Sequence, residues 1–148
     1  MRRLLLLSMT LLLAGCGGSE KDAYVEQASA VCERAAEETE ALKRPAGTDE
    51  FAPYVEQVVQ IASRAQAELA ALEPPADDRA ELEERVLRPF AEVVEEGQDF
   101  SEKVQAAGNT SKLLPLLKQV PDAGDVDLEY LRDYGLDSCA DAISRSSS

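Results

Sequence analysis

Three cysteines, Cys16, Cys32 and Cys139, and a dense population of carboxylates are the side chains of this 148-residue chain whose types could do chemistry. A thiol becomes a nucleophile only when something lowers its pKa, and the commonest neighbour for that task is an imidazole. The sequence contains no His. A His-dependent triad, an imidazole general base and most zinc sites are therefore excluded. Paired carboxylates can cleave glycosidic bonds without His, but Glu37-Glu38, Glu83-Glu84 and Glu95-Glu96 fall where the solvent faces of helices are expected. The concentration with the most chemical content is Asp122, Asp125, Asp127 and Glu129, four carboxylates in eight residues. Oxygen ligands at alternating positions could hold calcium. Against this, Gly124 stands third from Asp122 rather than sixth as in an EF-hand, and turns and helix caps produce the same composition. Gly-rich phosphate loops are absent.

The elements that must position these residues begin with the first sixteen. Met1-Arg2-Arg3 is a basic start, and Leu4 to Ala14 is an apolar run broken only by Ser8 and Thr10. As a helix that run spans about 16 Å, too short for a bilayer core of about 30 Å, so it reads as the hydrophobic region of a signal peptide. Leu13-Ala14-Gly15-Cys16 resembles the lipobox of bacterial lipoproteins. Cys16 offers the thiol that accepts diacylglycerol, small Ala14 and Gly15 admit the backbone to the protease, and Leu13 fills an apolar subsite. The expectation is that residues 1–15 are removed and Cys16 is lipidated, with or without an added N-acyl chain. Two acyl chains suffice for stable anchoring, which puts the protein on the extracytoplasmic face of the cell membrane. Residues 16–19 then form a tether in which Gly17-Gly18-Ser19 reach at most about 10 Å. The alternatives are a type I signal peptide with a chance cysteine, or an uncleaved anchor; Arg2-Arg3 lacks the flanking residues of a twin-arginine signal.

Without Arg2 and Arg3, 13 bases face 29 acids, a net charge of −16. Such a surface repels nucleic-acid phosphates and anionic head groups, so nucleic acid is excluded as a partner and an electrostatic partner would be cationic. Trp is absent and aromatics make up 5% of the chain. Ala, Leu, Val and Glu dominate, which favours helices and leaves a core of modest-sized side chains.

Residues 20–143 read as one helical bundle domain. Ser19-x-x-Asp22 is a capping-box variant, and Tyr24, Ala28, Val31, Cys32, Ala35 and Leu42 recur at helical steps to predict a helix over Glu20 to Lys43. Pro45-Ala46-Gly47 breaks it. A second helix, capped by Thr48 or Asp49, carries Phe51, Val55, Val58, Ile61, Ala65 and Leu69 on one face, with Pro53 near its first turn, and Pro74-Pro75 ends it. A third starts at Asp77 or Asp78 and runs through Leu82, Val86, Phe90, Val93, Gly97, Phe100 and Val104, kinked at Pro89 and closed by Gly108-Asn109. Gly97 marks a close helix contact. The apolar groups around Leu113 to Val120 and Leu128 to Tyr134, the latter ended by a left-handed Gly135, read as one split fourth helix. Residues 144–148 read as a polar tail. The whole predicts an all-α, up-down-up-down four-helix bundle.

Outside the cytoplasm Cys32 and Cys139 are expected to pair. In an antiparallel bundle the fourth helix would return position 139 to the first half of helix one. Two separate buried thiols are the alternative.

The chain resembles a group of small, functionally uncharacterised helical lipoproteins and secreted proteins of actinobacterial type. The residues that carry the resemblance are Leu13-Ala14-Gly15-Cys16, Tyr24-Val25-x-x-Ala28-x-x-Val31-Cys32, Leu72-x-Pro74-Pro75 and Tyr134-Gly135-Leu136-x-x-Cys139. It implies a disulfide-closed helical bundle at the cell envelope and no particular activity. Pro115, Pro121 and the stretch Asp122 to Asp127 depart from the pattern.

An anchor and a scaffold without a reactive group point to a non-enzymatic binding or interaction module for an envelope protein or small ligand. The alternatives are a receptor with an apolar ligand in the bundle core and a calcium-binding surface protein. No cofactor beyond the lipid on Cys16 is expected.

Overall fold

The computed structural model describes residues 19–122 and 124–146. Cys16, the leader and the start of the tether lie outside the described residues, as do the last two residues. The described chain is helical, with α1 (Glu20–Ala41), α2 (Thr48–Ala71), α3 (Arg79–Leu82), a π-helical turn (Glu83–Leu87), α4 (Arg88–Ala107), α5 (Thr110–Leu116), a 3-10 turn (Leu117–Gln119), α6 (Leu128–Tyr134) and α7 (Asp137–Ser146). Among the described residues there is no strand, and no helix is long and apolar enough to cross a membrane.

Local chemistry sets the helix ends. Ser19 and Asp22 form a reciprocal capping box: the Asp22 N–H donates to Ser19 Oγ at 3.1 Å, and the Ser19 N–H donates to Asp22 at 2.9 Å. Those two bonds satisfy donors that the first turn of any helix leaves open. α4 ends at Gly108, whose φ of 65° is left-handed, and Asn109 caps α5 by accepting from the Lys112 N–H. Gly135, at φ 101°, closes α6, and the Leu136 N–H donates back to the Leu131 carbonyl at 2.8 Å. A side chain there would be strained, so the position suits glycine.

Pro89, expected to kink the third helix, disturbs it in a specific form. It has no N–H to give the Arg85 carbonyl, and the preceding turn widens to a π-helix over Glu83–Leu87. The released Arg85 carbonyl does not go unsatisfied. The Asp127 N–H, 42 residues on, donates to it at 3.0 Å.

Contacts between the helices give their directions. Arg34 pairs with Glu68 and Arg64 with Glu38, so numbers rise on α1 as they fall on α2, and the two are antiparallel. Gln98 meets Ser63, and Thr110, just past α4, meets Thr48, so α4 is antiparallel to α2. Gly97 faces α2, but the contact is not unusually close: a Cβ there would meet Val59 at an ordinary 3.5 Å. The last leg differs from the expected split fourth helix. Glu33 bonds Ser138 and Glu40 bonds Arg145, so numbers rise together and α7 runs parallel to α1. The return climb is made between the 3-10 turn and α6, where the chain passes Val93 at Gly124 and Arg85 at Asp127. α6 turns the chain over, and α7 descends again. Residues 144–146 are correspondingly helix, not free tail: Arg145 reaches Glu40, and the Ser144 O–H donates to the Ala140 carbonyl.

Burial divides into two clusters. The upper one joins Tyr24, Ala28, Val31 and Cys32 of α1 to Ala65, Leu69, Leu82, Val86, Leu131, Tyr134, Leu136 and Ala140. The lower one joins Val55 to Phe100, Val104, Ala107 and Leu113, with Phe51, Tyr54, Val59 and Leu116 against it. No residue of α1 enters the lower cluster. The first helix is packed into the core along its N-terminal half, and its C-terminal end stands against α2 and, through Glu40 and Arg145, against α7.

Candidate interaction site

Cys32 and Cys139 are bonded, with their Cα atoms 4.9 Å apart. Disulfide bonding was the expected outcome, but the approach is made by a parallel α7 rather than an antiparallel fourth helix. Cys16, expected to be lipidated, lies outside the described residues. The described chain begins at Ser19 with the cap of α1, so helix starts four residues after Cys16.

Two of the four acids considered for calcium, Asp122 and Asp127, have other occupations. Asp127 caps α6 through the Tyr130 N–H at 2.8 Å and holds Arg85 at 2.7 Å. The cap first, and then the guanidinium, hold its carboxyl below the usual carboxylate range. Asp122 closes a local turn by accepting from the Gly124 N–H at 2.8 Å. Among the described residues no three His, Cys, Asp or Glu side chains converge in a way that could hold a metal ion. Asp122 serves a turn and Asp127 a helix cap, and Asp125 and Glu129 join no such cluster among the described residues.

Around α6 the tyrosines form a junction that sequence reasoning did not foresee. Tyr134 meets Tyr24 edge-on at 6.3 Å between centroids, and Tyr130 stacks on it at 5.7 Å. Lys21 lies 4.0 Å over the Tyr134 ring, and the Arg85 guanidinium lies 4.4 Å over Tyr130. The Tyr134 O–H donates to Asp78 at 2.7 Å. Asp78 stands at the N-cap position of α3 but makes no capping bond there; its carboxylate serves α6 instead. Burial raises the pKa of Tyr134 first, and the bond to Asp78 adds to it. The junction ties α1, α3 and α6 together.

Two surfaces are left open. Where α1 stands clear of the lower cluster, a groove of about 880 Å³ opens across α2, lined by Ala41 and Leu42 of α1, Val59, Gln60, Ser63 and Ala67 of α2, and Gln98 of α4. Its walls are mostly apolar, and its rim carries amides, a hydroxyl and the Glu38–Arg64 pair. Beside it, the α1–α2 seam encloses only about 10 Å³ under the Arg34–Glu68 and Arg64–Glu38 bridges, room for about one water. The second surface is on α5 and the 3-10 turn. Leu113 and Leu116 face inward, while Leu114, Leu117 and Val120 remain 57%, 42% and 53% exposed. The apolar run expected to pack as part of a fourth helix therefore has two apolar sides, only one of them covered.

No family model, no curated protein and no solved structure matches this chain.

Proposed function

We propose that this chain is a membrane-anchored extracytoplasmic lipoprotein whose domain is a non-enzymatic interaction module, using the groove across α2 to hold a segment of an envelope partner. The observation that carries the reading is the withdrawal of α1 from the lower cluster, which opens the groove between Leu42 on one side and Gln98 on the other. Apolar walls contribute affinity, and the rim groups Gln57, Gln60, Ser63 and Gln98 offer hydrogen bonds to a peptide backbone, the pattern by which clefts bind and orient a ligand. The groove is open to solvent and lined by hydrogen-bonding groups, which suits a chain segment better than a small apolar molecule. A ligand in the bundle core would need space that the α1–α2 seam, at about 10 Å³, does not offer.

Anchoring rests on Leu13-Ala14-Gly15-Cys16 and the basic, apolar leader before it. The Cys32–Cys139 disulfide supports an oxidising setting. Helix starting at Glu20 would hold a rigid domain within about 10 Å of an acylated Cys16.

Two measurements test this. Mass spectrometry of the protein from its own cells should find the chain starting at residue 16 with a diacylglycerol thioether; an intact leader or a free thiol at position 16 refutes the anchor. A photo-crosslinking residue at Gln60 should capture a protein partner that the same residue at Glu92, exposed on α4, does not. Equal capture from both positions refutes the groove.

A further inference from the structure

The ridge formed by Leu114, Leu117 and Val120 coincides with an anomaly in charge. Residues 103–121 contain Lys103, Lys112 and Lys118 and no Asp or Glu, in a chain whose portion from Cys16 onward carries −16. Of the other described cations, Arg34, Lys43, Arg64, Arg85, Arg132 and Arg145 are held by carboxylates, while Lys21, Arg44, Arg79 and Arg88 are unpaired but lie in stretches that also carry Asp or Glu. Among the described residues none of Lys103, Lys112 and Lys118 has an ion pair, and all three are exposed. Three protruding apolar side chains with unneutralised lysines beside them make up a short basic amphipathic element. Lys stems can lie along apolar matter while their ammonium groups stay wet.

We propose that this ridge is a second membrane contact, which lays the domain against an anionic bilayer surface. Leu114, Leu117 and Val120 are 57%, 42% and 53% exposed, so they can enter an interfacial lipid layer as the apolar side of a surface-lying helix does. Charge selects the same occupant. The remainder of the domain repels anionic head groups, so this face is the one that can approach them. The placement gives the contact its consequence. α5 begins beside Thr48, at the opposite end of the α1–α2 hairpin from Ser19, and a helix of 22 residues is about 33 Å long. A tether at one end and an adhesive ridge at the other would hold the long axis along the membrane instead of leaving it free to tilt. The proposal rests on the extracytoplasmic, anchored reading above.

The test uses the chain from Cys16 onward, which retains both core clusters, the capping box and the disulfide. With Cys32 and Cys139 bonded, Cys16 is its one free thiol and can be coupled to a maleimide lipid. The chain has no Trp, so Leu117→Trp supplies a single fluorophore, with Leu114→Trp as a second version and circular dichroism to check folding. On vesicles containing about one-third phosphatidylglycerol, Trp emission should shift to the blue and be quenched by brominated acyl chains. On phosphatidylcholine alone it should not. Partition of the uncoupled chain onto the anionic vesicles should fall roughly 30-fold in Lys112→Gln/Lys118→Gln, from about a fivefold factor per lysine. Unchanged emission on both vesicle types overturns the proposal, as does an equal shift on both. A shift that appears without vesicles and grows with protein concentration assigns the ridge to a second copy of the chain and overturns it as well. Because the lipid is supplied chemically, failure here is distinct from failure to find acylated Cys16 in cells.

Discussion

Arg85 holds Asp127 with both its backbone and its side chain. Its carbonyl, released by the missing N–H of Pro89, accepts the Asp127 N–H at 3.0 Å, and its guanidinium reaches the Asp127 carboxylate at 2.7 Å while also meeting Glu81 at 3.1 Å. A defect in the third helical leg thus becomes the docking point for a segment 42 residues later. Asp127 then starts α6, because its other carboxylate oxygen accepts from the Tyr130 N–H. Helix defect, return segment and next helix are joined at one pair of residues.

Separating the two duties of Asp127 gives the first prediction. Asp127→Ala removes cap and ion pair together and should lower the unfolding free energy by about 1–2 kcal/mol, mostly from the cap. Asp127→Asn keeps a capping oxygen and loses the charge. Since Arg85 and Asp127 are partly solvated, it should cost less than about 1 kcal/mol. Urea denaturation of the two variants checks the order, and an equal loss would mean the ion pair dominates.

Opening the disulfide should be more damaging. Cys32 and Cys139 are 107 residues apart in sequence, for which the chain-entropy relation gives about 4 to 5 kcal/mol. Cys32→Ser/Cys139→Ser should therefore melt well below the parent, and adding reductant to the parent should reproduce the shift. Coincident melting curves with and without reductant would contradict this.

Stability should fall toward both ends of the pH scale. Asp127 and Asp22 are held below ordinary carboxylate values, each first by a backbone N–H. A depressed folded-state pKa contributes stability that is complete above the unfolded value near pH 4 and lost as pH falls through the folded value. Tyr24, Tyr130 and Tyr134 are raised, in each case first by burial. Their contribution is complete below about pH 10 and lost as pH climbs through the folded values. Denaturation midpoints from pH 2 to 12 should form a plateau with two falling edges, and Tyr134→Phe should soften the alkaline edge. A midpoint still level above pH 11 would refute the assignment of the tyrosines.

Gly124 should resist replacement. Its φ is 58°, and a Cβ would lie 2.7 Å from Val93 on α4. Gly124→Ala combines backbone strain with a clash and should cost about 1–3 kcal/mol. Val93→Ala in the same chain should recover part of the loss in a double-mutant cycle. Strict additivity would remove the contact with Val93 from the explanation.

Residues with local chemistry announced their roles plainly. Ser19 and Asp22, Gly108 and Asn109, and Gly135 mark helix ends through their own caps and φ preferences, and the stripe from Val55 to Leu69 faces inward as its period demands. The disturbance at Pro89 was equally legible, though not the partner it would find, because Asp127 meets Arg85 only through tertiary placement. The direction of α7 was hidden for a similar reason: it depends on the climb between the 3-10 turn and α6, which no period encodes. α7 also has a weak apolar signature, since its inward side is Cys139, Ala140 and Ile143, and Ser144 and Arg145 read as tail. The Asp-rich stretch looked like a ligand set because turns, caps and cation sites draw on the same oxygen atoms. Leu114, Leu117 and Val120 were read as core from hydrophobicity alone, which cannot tell a covered side of a short helix from an uncovered one. The groove across α2 left no trace in the sequence, being the absence of α1 from a cluster formed by other helices.

The bond between Cys32 and Cys139 turns nearly the whole domain into one covalent ring. A protease cutting any peptide bond between those positions, whether in the Pro45-Ala46-Gly47 loop or near Asp122, would leave both fragments attached to each other and to whatever residue 16 carries. On the anchored reading proposed above, nicking would not release the protein into the medium. Shedding would require a cut in the few residues ahead of Cys32, and from Ser19 onward those are shielded by the capped first helix.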